Sequence, residues 1–194
     1  CKQFEKTRAG LLKSKDSAAV NAGKAYGKAG ENNGVLVRFA DKLPDRGGSV
    51  SPVDGGIRND PSNPQRFQAN LLVTIESGNI GNAETVAHEG SHVADYQAFA
   101  NSLSIASQWG DQSLNITHMA TEVRAYNLSI RLASQGNKTT NFGPCGLMTE
   151  CKFPPAQMPA QRDQLIRDLL THPGSIYRNL DTVLYPALLK PRQE

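Results

Sequence analysis

The sequence predicts an α+β fold, with a small mixed sheet in the first half of the chain and a mainly helical second half. Three observations carry that expectation. Two short runs rich in β-branched and aromatic residues, Val35 to Ala40 and Phe67 to Glu76, read as strands. A proline-free, alanine-rich stretch from Ala83 to Ala100 reads as a helix. Beyond it, apolar residues recur at helical spacing over 116–134 and again over 159–170. A chain of 194 residues with 38% apolar content can bury one core.

In chain order, residues 1–33 are rich in Ala, Gly and Lys and read as a basic helical or flexible lead-in, set apart from a single domain over 34–194. Val35 to Ala40 is the first strand. Leu43 to Gln65 is dense in Gly, Pro, Asp, Asn and Ser and reads as an irregular excursion. Phe67 to Glu76 is the second strand, centred on Leu71-Leu72-Val73-Thr74-Ile75. Turn residues Gly and Asn then lead into the helix that starts at Ala83. Asn82 is a good N-cap, and Glu84 suits the positive end of the helix dipole. Gly90 costs that helix about 1 kcal/mol relative to alanine, which points to close packing at this position. In the next helix Ile116, Val123, Ile130 and Ala133 share an apolar stripe, and Gly136 is a natural C-cap. Pro159 to Leu170 forms a further helix, and Val183 to Leu189 a short terminal helix or turn interrupted by Pro186.

The chemistry of the chain concentrates in His88-Glu89-Gly90-Ser91-His92, which uses two of its four histidines. Residues four apart lie on one helix face, so both imidazoles can reach one metal ion. Glu89 lies one residue round the helix, where a carboxylate can take a proton from a metal-bound water. A catalytic zinc site keeps three protein ligands and one open position, so a third donor is needed. Asp95, Asp111, His118 and Glu122 are the candidates. Glu122 is the choice, because it sits mid-helix where a second helix packed across the first can deliver its carboxylate. Asp95 shares the face of the two histidines but lies a turn too far along to ligate; it either orients an imidazole or is an ordinary surface aspartate. His118 and Tyr126, one turn either side of Glu122, are candidates for stabilising a developing oxyanion. His172, in Thr171-His172-Pro173-Gly174, reads as part of a helix-ending turn.

His88-Glu89-x-x-His92 followed by a helical Glu122 resembles the gluzincin branch of zinc metallopeptidases, over about 50 residues from Glu84 to Arg131. The string His92-Val93-Ala94-Asp95-Tyr96 is similar to the active-site helix of thermolysin-like enzymes, with one residue fewer before the Asp-Tyr pair. The resemblance implies a zincin-like fold with an edge strand over the active-site helix. It implies Zn²⁺ as cofactor, held by His88, His92 and Glu122. Glu89 is then the catalytic base, and Tyr126 or His118 the oxyanion donor. The strand before the active-site helix would pair with an extended peptide substrate through main-chain hydrogen bonds. Two departures stand out. The gap from His92 to Glu122 is longer than in thermolysin-like enzymes, and Tyr126 stands where they carry an aspartate. The metzincin pattern is excluded, since Ala98 occupies the place of its third ligand.

Composition bounds the remaining classes. Residues 1–30 hold seven Lys/Arg against two acids, and the rest of the chain 14 against 16. No aromatic interleaving marks the basic segment as a base-stacking surface, so the expected partner is a peptide or protein and no nucleic acid. No apolar run approaches a membrane span. Cys145 and Cys151 flank a short loop and form either a disulfide or two thiols. Cys1 fits the lipidated first residue of an exported lipoprotein, or a trimmed domain boundary; the expected location is secreted, periplasmic or lipid-anchored. Two alternatives to a general peptidase stay open, a non-catalytic zinc-containing binding module and a secreted toxin or effector protease of narrow specificity.

Overall fold

The computed structural model describes residues 1–43, 47–135 and 159–189. Among these residues the fold is mixed α+β, with helices α1 (Lys2–Leu12), α2 (Ser17–Ala25), α3 (Ala83–Ser102), α4 (His118–Gln135) and α5 (Pro159–Thr171). Its one sheet holds β1 (Val35–Ala40), β2 (Gly48–Asp60) and β3 (Asn63–Glu76). The spatial order is β1-β3-β2, with β1 parallel and β2 antiparallel to β3. The sheet is therefore mixed, as expected. Cys145, Cys151 and Gly136 lie outside the described residues.

Two expectations about the sheet are corrected. The stretch from Leu43 to Gln65 is no irregular excursion, since most of it is β2 and the start of β3. Its composition conceals a strand because the ladder is broken inside it. The register shifts between Pro52 and Ile57, where Asp54, Gly55 and Gly56 take left-handed backbone angles of 48°, 80° and 80°. Such a bulge needs the very Asp and Gly residues that read as loop. The strand that precedes α3, β3, is moreover the central strand rather than an edge. Its buried face of Ala69, Leu71, Val73 and Ile75 packs into the core, and its neighbours on both sides use its hydrogen-bonding groups.

α3 lies at the centre of the molecule. Val86, Val93, Phe99 and Ala100 are fully buried, as is Ala87 on another face, and Tyr96 is buried beside Phe99 and Ala100. A helix buried on several sides carries small residues where neighbours approach closely. Gly90 is such a point: a Cβ there would stand 2.5 Å from the Ala22 carbonyl oxygen of α2. The sequence-level inference of close packing holds, and the neighbour is α2.

That contact also changes the view of residues 1–33, whose helical part is no tether beside the domain. Phe4, Leu11, Ala19, Ala22, Ala25 and Tyr26 belong to the same buried cluster as β3 and α3. Phe4 meets the Tyr26 ring edge-on at 5.1 Å, and the Tyr26 hydroxyl donates to the Val86 carbonyl at 2.6 Å. The basic residues Lys2, Lys6, Lys13, Lys15, Lys24 and Lys28 are exposed, on the outer faces of α1 and α2 or in the turns that follow them. A smaller core of Val123, Ile130, Ile166 and Leu170 joins α4 to α5. No helix among the described residues is long and apolar enough to cross a membrane.

Candidate metal centre

The site forms where α4 crosses α3. Asn82 caps α3 by accepting from the Glu84 and Thr85 amides at 2.9 and 3.4 Å, which sets the helix start at Ala83, five residues before His88. The i, i+4 spacing then places His88 and His92 on the face toward α4, their rings 4.8 Å apart. From α4, Glu122 enters between them: its Oε2 is 3.5 Å from His88 Nε2, and its Oε1 is 3.6 Å from His92 Nε2. One ligand atom from each of the three residues lies within 4.8 Å of the others.

Those distances are too long for good hydrogen bonds. They suit a shared ion, because donor atoms bonded tetrahedrally at about 2.0–2.1 Å stand roughly 3.3–3.4 Å apart. Glu122 Oε2 is buried and has no hydrogen-bond partner. A buried carboxylate oxygen left without a donor is costly, and a cation between it and the two imidazoles removes that cost. The donor set, two imidazoles and a carboxylate, belongs to borderline metals such as zinc and to other first-row ions alike. The group can therefore hold a metal ion.

The backs of both imidazoles are anchored. His92 Nδ1 is 2.9 Å from Thr121 Oγ1, and Thr121 Oγ1 donates to Asp95 Oδ2 at 2.6 Å. Thr121 has one proton and the carboxylate takes it, so Thr121 must accept from His92 Nδ1–H. This fixes the tautomer that leaves the Nε2 lone pair facing Glu122. Asp95 thus orients the imidazole through Thr121, and Arg124 Nη1 holds its other oxygen at 2.7 Å. The chain Arg124–Asp95–Thr121–His92 is the outer shell that good metal sites require. His88 Nδ1 faces Ser129 Oγ at 3.4 Å, and Ser129 donates to the Ala125 carbonyl at 3.1 Å. Thr121 and Ser129 escaped the sequence reading. Their only signal was position, Thr121 beside Glu122 and Ser129 one heptad beyond it.

Burial pulls the His92 pKa down to about 4 against the opposing field of Glu122, so His92 is neutral near pH 7. Burial also depresses His88, but the Glu122 and Glu89 carboxylates outweigh it and raise the pKa. For Glu122, burial pushes upward and the facing histidines pull further downward, leaving it ionised.

Glu89 is buried at 5% exposure and lies against β2. A Cβ on Gly48 would come within 2.6 Å of Glu89 Cγ and Oε1, so only glycine lets the strand pass this closely. The edge strand beside the site is accordingly β2, the segment that had read as loop. Tyr126 packs edge-on against the His88 ring at 4.8 Å and pairs its hydroxyl with that of Tyr177. His118 opens α4, half-buried; its amide donates to the Thr182 carbonyl at 2.8 Å, and burial lowers its pKa. It stands outside the three-residue ligand group. Asp111 is exposed and caps the short helical turn Gln112–Leu114, and exposed His172 accepts from the Gly174 amide at 3.1 Å.

Comparison with protein-family models, with curated proteins and with solved structures finds no match.

Proposed function

We propose that the chain is a zinc-dependent metallopeptidase that hydrolyses peptide bonds, with His88, His92 and Glu122 as metal ligands and Glu89 as the catalytic base. The observation that carries this reading is the convergence of three ligand atoms within 4.8 Å of one another, two of them on the helix that also holds the buried carboxylate of Glu89. Bound there, zinc would supply a Lewis acid that polarises the peptide carbonyl and acidifies water. The chain's own residues do the rest. Glu89 accepts a proton as the water oxygen bonds to the carbonyl carbon, then passes it to the amine nitrogen as the C–N bond breaks. Low exposure keeps the Glu89 carboxylate weakly solvated and fixed. The edge of β2 beside it suits an extended peptide, which adds to a sheet edge by main-chain hydrogen bonds.

The test combines elemental analysis with proteolysis of a peptide library. Dialysed protein should hold about one zinc per chain, as a single three-ligand site requires. Glu122→Ala should lose zinc and activity together. Glu89→Gln should keep zinc while hydrolysis falls by about 10²–10⁴-fold, the usual worth of a positioned acid–base group. Full activity in Glu89→Gln overturns the mechanism. Protein that neither retains nor takes up zinc overturns the metallopeptidase reading itself.

A further inference from the structure

The lysines of the first two helices form a face that the rest of the fold leaves unused. On α1, Lys2, Lys6, exposed Ala9 and the C-cap Lys13 follow one another at spacings of four, three and four, which is one side of a helix. The opposite side carries Phe4 and Leu11, buried in the core shared with α3. α2 repeats the plan: Ala19, Ala22, Gly23 and Ala25 are buried, while Lys24 is exposed on the outer side. Lys15 and Lys28, in the turns after the two helices, are exposed as well. The acids of this layer are already engaged. Glu5 accepts from Arg8 at 2.9 Å, Asp16 from Arg131 at 2.7 Å, and Glu31 from the Lys28 amide at 2.6 Å. The ion pairs among the described residues include none of these lysines. Both shoulders of the α1 stripe are apolar. On one lies Leu12, 36% exposed. On the other a groove of about 390 Å³ runs between α1, the start of α3 and α4, with Leu11 and Leu132 in its lining.

We propose that this lysine face is the surface by which the protein docks on an anionic lipid bilayer. Lysine ammoniums are compact, strongly hydrated point charges, which suit a diffuse sheet of negative headgroups; arginine suits two-point recognition of single phosphates. Clusters of about four to eight basic residues on a helical surface mark attraction to acidic phospholipids. A single-stranded nucleic acid calls for aromatic side chains among the charges on which bases can stack. Phe4 and Tyr26, the aromatic residues of this segment, are both buried. The apolar shoulders fit the boundary between headgroups and acyl chains, where a side chain such as Leu12 leaves water. The placement has a consequence for the metal centre. α2 meets α3 at Gly90, and at about 3.6 residues per turn Gly90 lies roughly 200° round the helix from His88. The lysine face is therefore behind the ligand candidates, and the docked protein turns them toward the aqueous phase. Docking of this kind is independent of the metallopeptidase reading.

Sedimentation of the full chain with lipid vesicles is the test. Vesicles of phosphatidylcholine alone are compared with vesicles that also hold about 30% phosphatidylglycerol, a lipid of negative headgroup. Salt is raised from about 0.1 M to about 1 M, which shortens the Debye length from about 10 to about 3 Å. The expected result is no binding to phosphatidylcholine, binding to the mixed vesicles at low salt, and release at high salt. Lys6→Gln with Lys13→Gln should weaken that binding about 30-fold, since each lysine near an anionic leaflet is worth about fivefold. Lys6→Arg with Lys13→Arg should keep it, because the charge is unchanged. Arg66→Gln with Arg167→Gln removes as much charge from exposed positions on β3 and α5, and should leave the affinity within about twofold at this screening. Urea midpoints of all the variants should match the wild type, as the altered side chains are exposed. A chain that does not bind the mixed vesicles overturns the proposal. So does binding that survives the lysine-to-glutamine pair, or that falls equally in the arginine pair, since net charge alone would then be at work. A single-stranded oligonucleotide bound as tightly as the mixed vesicles overturns the choice of lipid.

Discussion

Thr121 has a single proton and two neighbours placed to use it, and that fact sets the chemistry of His92. Because the Asp95 carboxylate takes the proton at 2.6 Å, His92 presents its Nε2 lone pair inward, 3.6 Å from a carboxylate oxygen that also has only lone pairs to offer. The arrangement calls for a cation. Thr121→Val, which keeps shape and removes the hydroxyl, should therefore lower zinc affinity by about 10–100-fold, the range for loss of an outer-shell partner. Thr121→Ser should restore it. Competition with a chromophoric chelator measures both, and an unchanged affinity in the valine variant would exclude the relay. The same histidine sets a pH dependence. An unfolded imidazole titrates near 6.5, whereas buried His92 titrates at about 4. In metal-free protein the unfolded chain thus binds a proton that the folded chain refuses. The stability at stake is intact above pH 6.5 and is lost progressively as pH falls toward about 4, by on the order of a few kcal/mol. His88, raised above 6.5, works in the opposite sense: its stabilisation is gained as pH falls through 6.5 and is complete well below it, so it opposes the loss only near the top of this window. Urea midpoints of chelator-treated protein should fall between pH 6.5 and 4, and His92→Gln should flatten the curve.

At the scale of elements, two glycines show why α3 sits where it does. Gly90→Ala raises helix propensity by about 1 kcal/mol, but its Cβ would stand 2.5 Å from the Ala22 backbone oxygen. Pushing α2 away costs about 1–3 kcal/mol, as overpacking does. The clash should win, and the thermal midpoint should fall by several degrees; a rise would show that α2 yields freely. Gly48→Ala meets a side chain instead, Glu89 at 2.6 Å. It should displace the carboxylate proposed as the base, and on the metallopeptidase reading hydrolysis should fall at least tenfold while zinc content stays at the wild-type level. Both contacts bear on what was legible beforehand. α3, α4 and α5 show in the sequence because their apolar periodicity and caps are local, and β1 and β3 because their runs are short and β-branched. The histidine pair is legible for the same reason, as helical spacing fixes who shares a face, and Glu122 is legible as a carboxylate midway along the next helix. β2 is hidden because Pro52 and the Asp54-Gly55-Gly56 bulge break its alternation. Thr121 and Ser129 are hidden because each meets its histidine only across the interface between α3 and α4.

For the whole molecule, the N-terminal 30 residues belong to the same buried core as the helices that carry the site. Asp16 caps α2 and also accepts from Arg131 of α4 at 2.7 Å, while Gln97 of α3 donates to the Ala25 carbonyl at 3.1 Å. α2 thus ties the two helices that supply all three ligand candidates. Its inward face is Ala19, Ala22, Gly23 and Ala25, small residues that let it approach α3. A tether would leave the domain unharmed when removed. Deletion of residues 1–30 should instead uncover Val86, Phe39 and the backbone at Gly90, and abolish both cooperative unfolding and zinc retention. The charge of this segment has no such role. Replacing the exposed Lys2, Lys13, Lys15 and Lys28 by glutamine should shift stability by no more than about 0.5 kcal/mol and leave zinc binding intact, as surface changes away from contacts do. Asp16 separates cap from ion pair. Asp16→Asn keeps the capping oxygen and loses a partly exposed pair, which costs under about 1 kcal/mol; Asp16→Ala loses the cap as well and should cost about 0.5–2 kcal/mol more. Denaturant unfolding with and without zinc reads every case. A truncated chain that still folds and holds zinc would detach the N-terminal helices from the site. If the truncation fails while the lysine variants behave as wild type, the basic segment serves as the packed wall behind the metal centre.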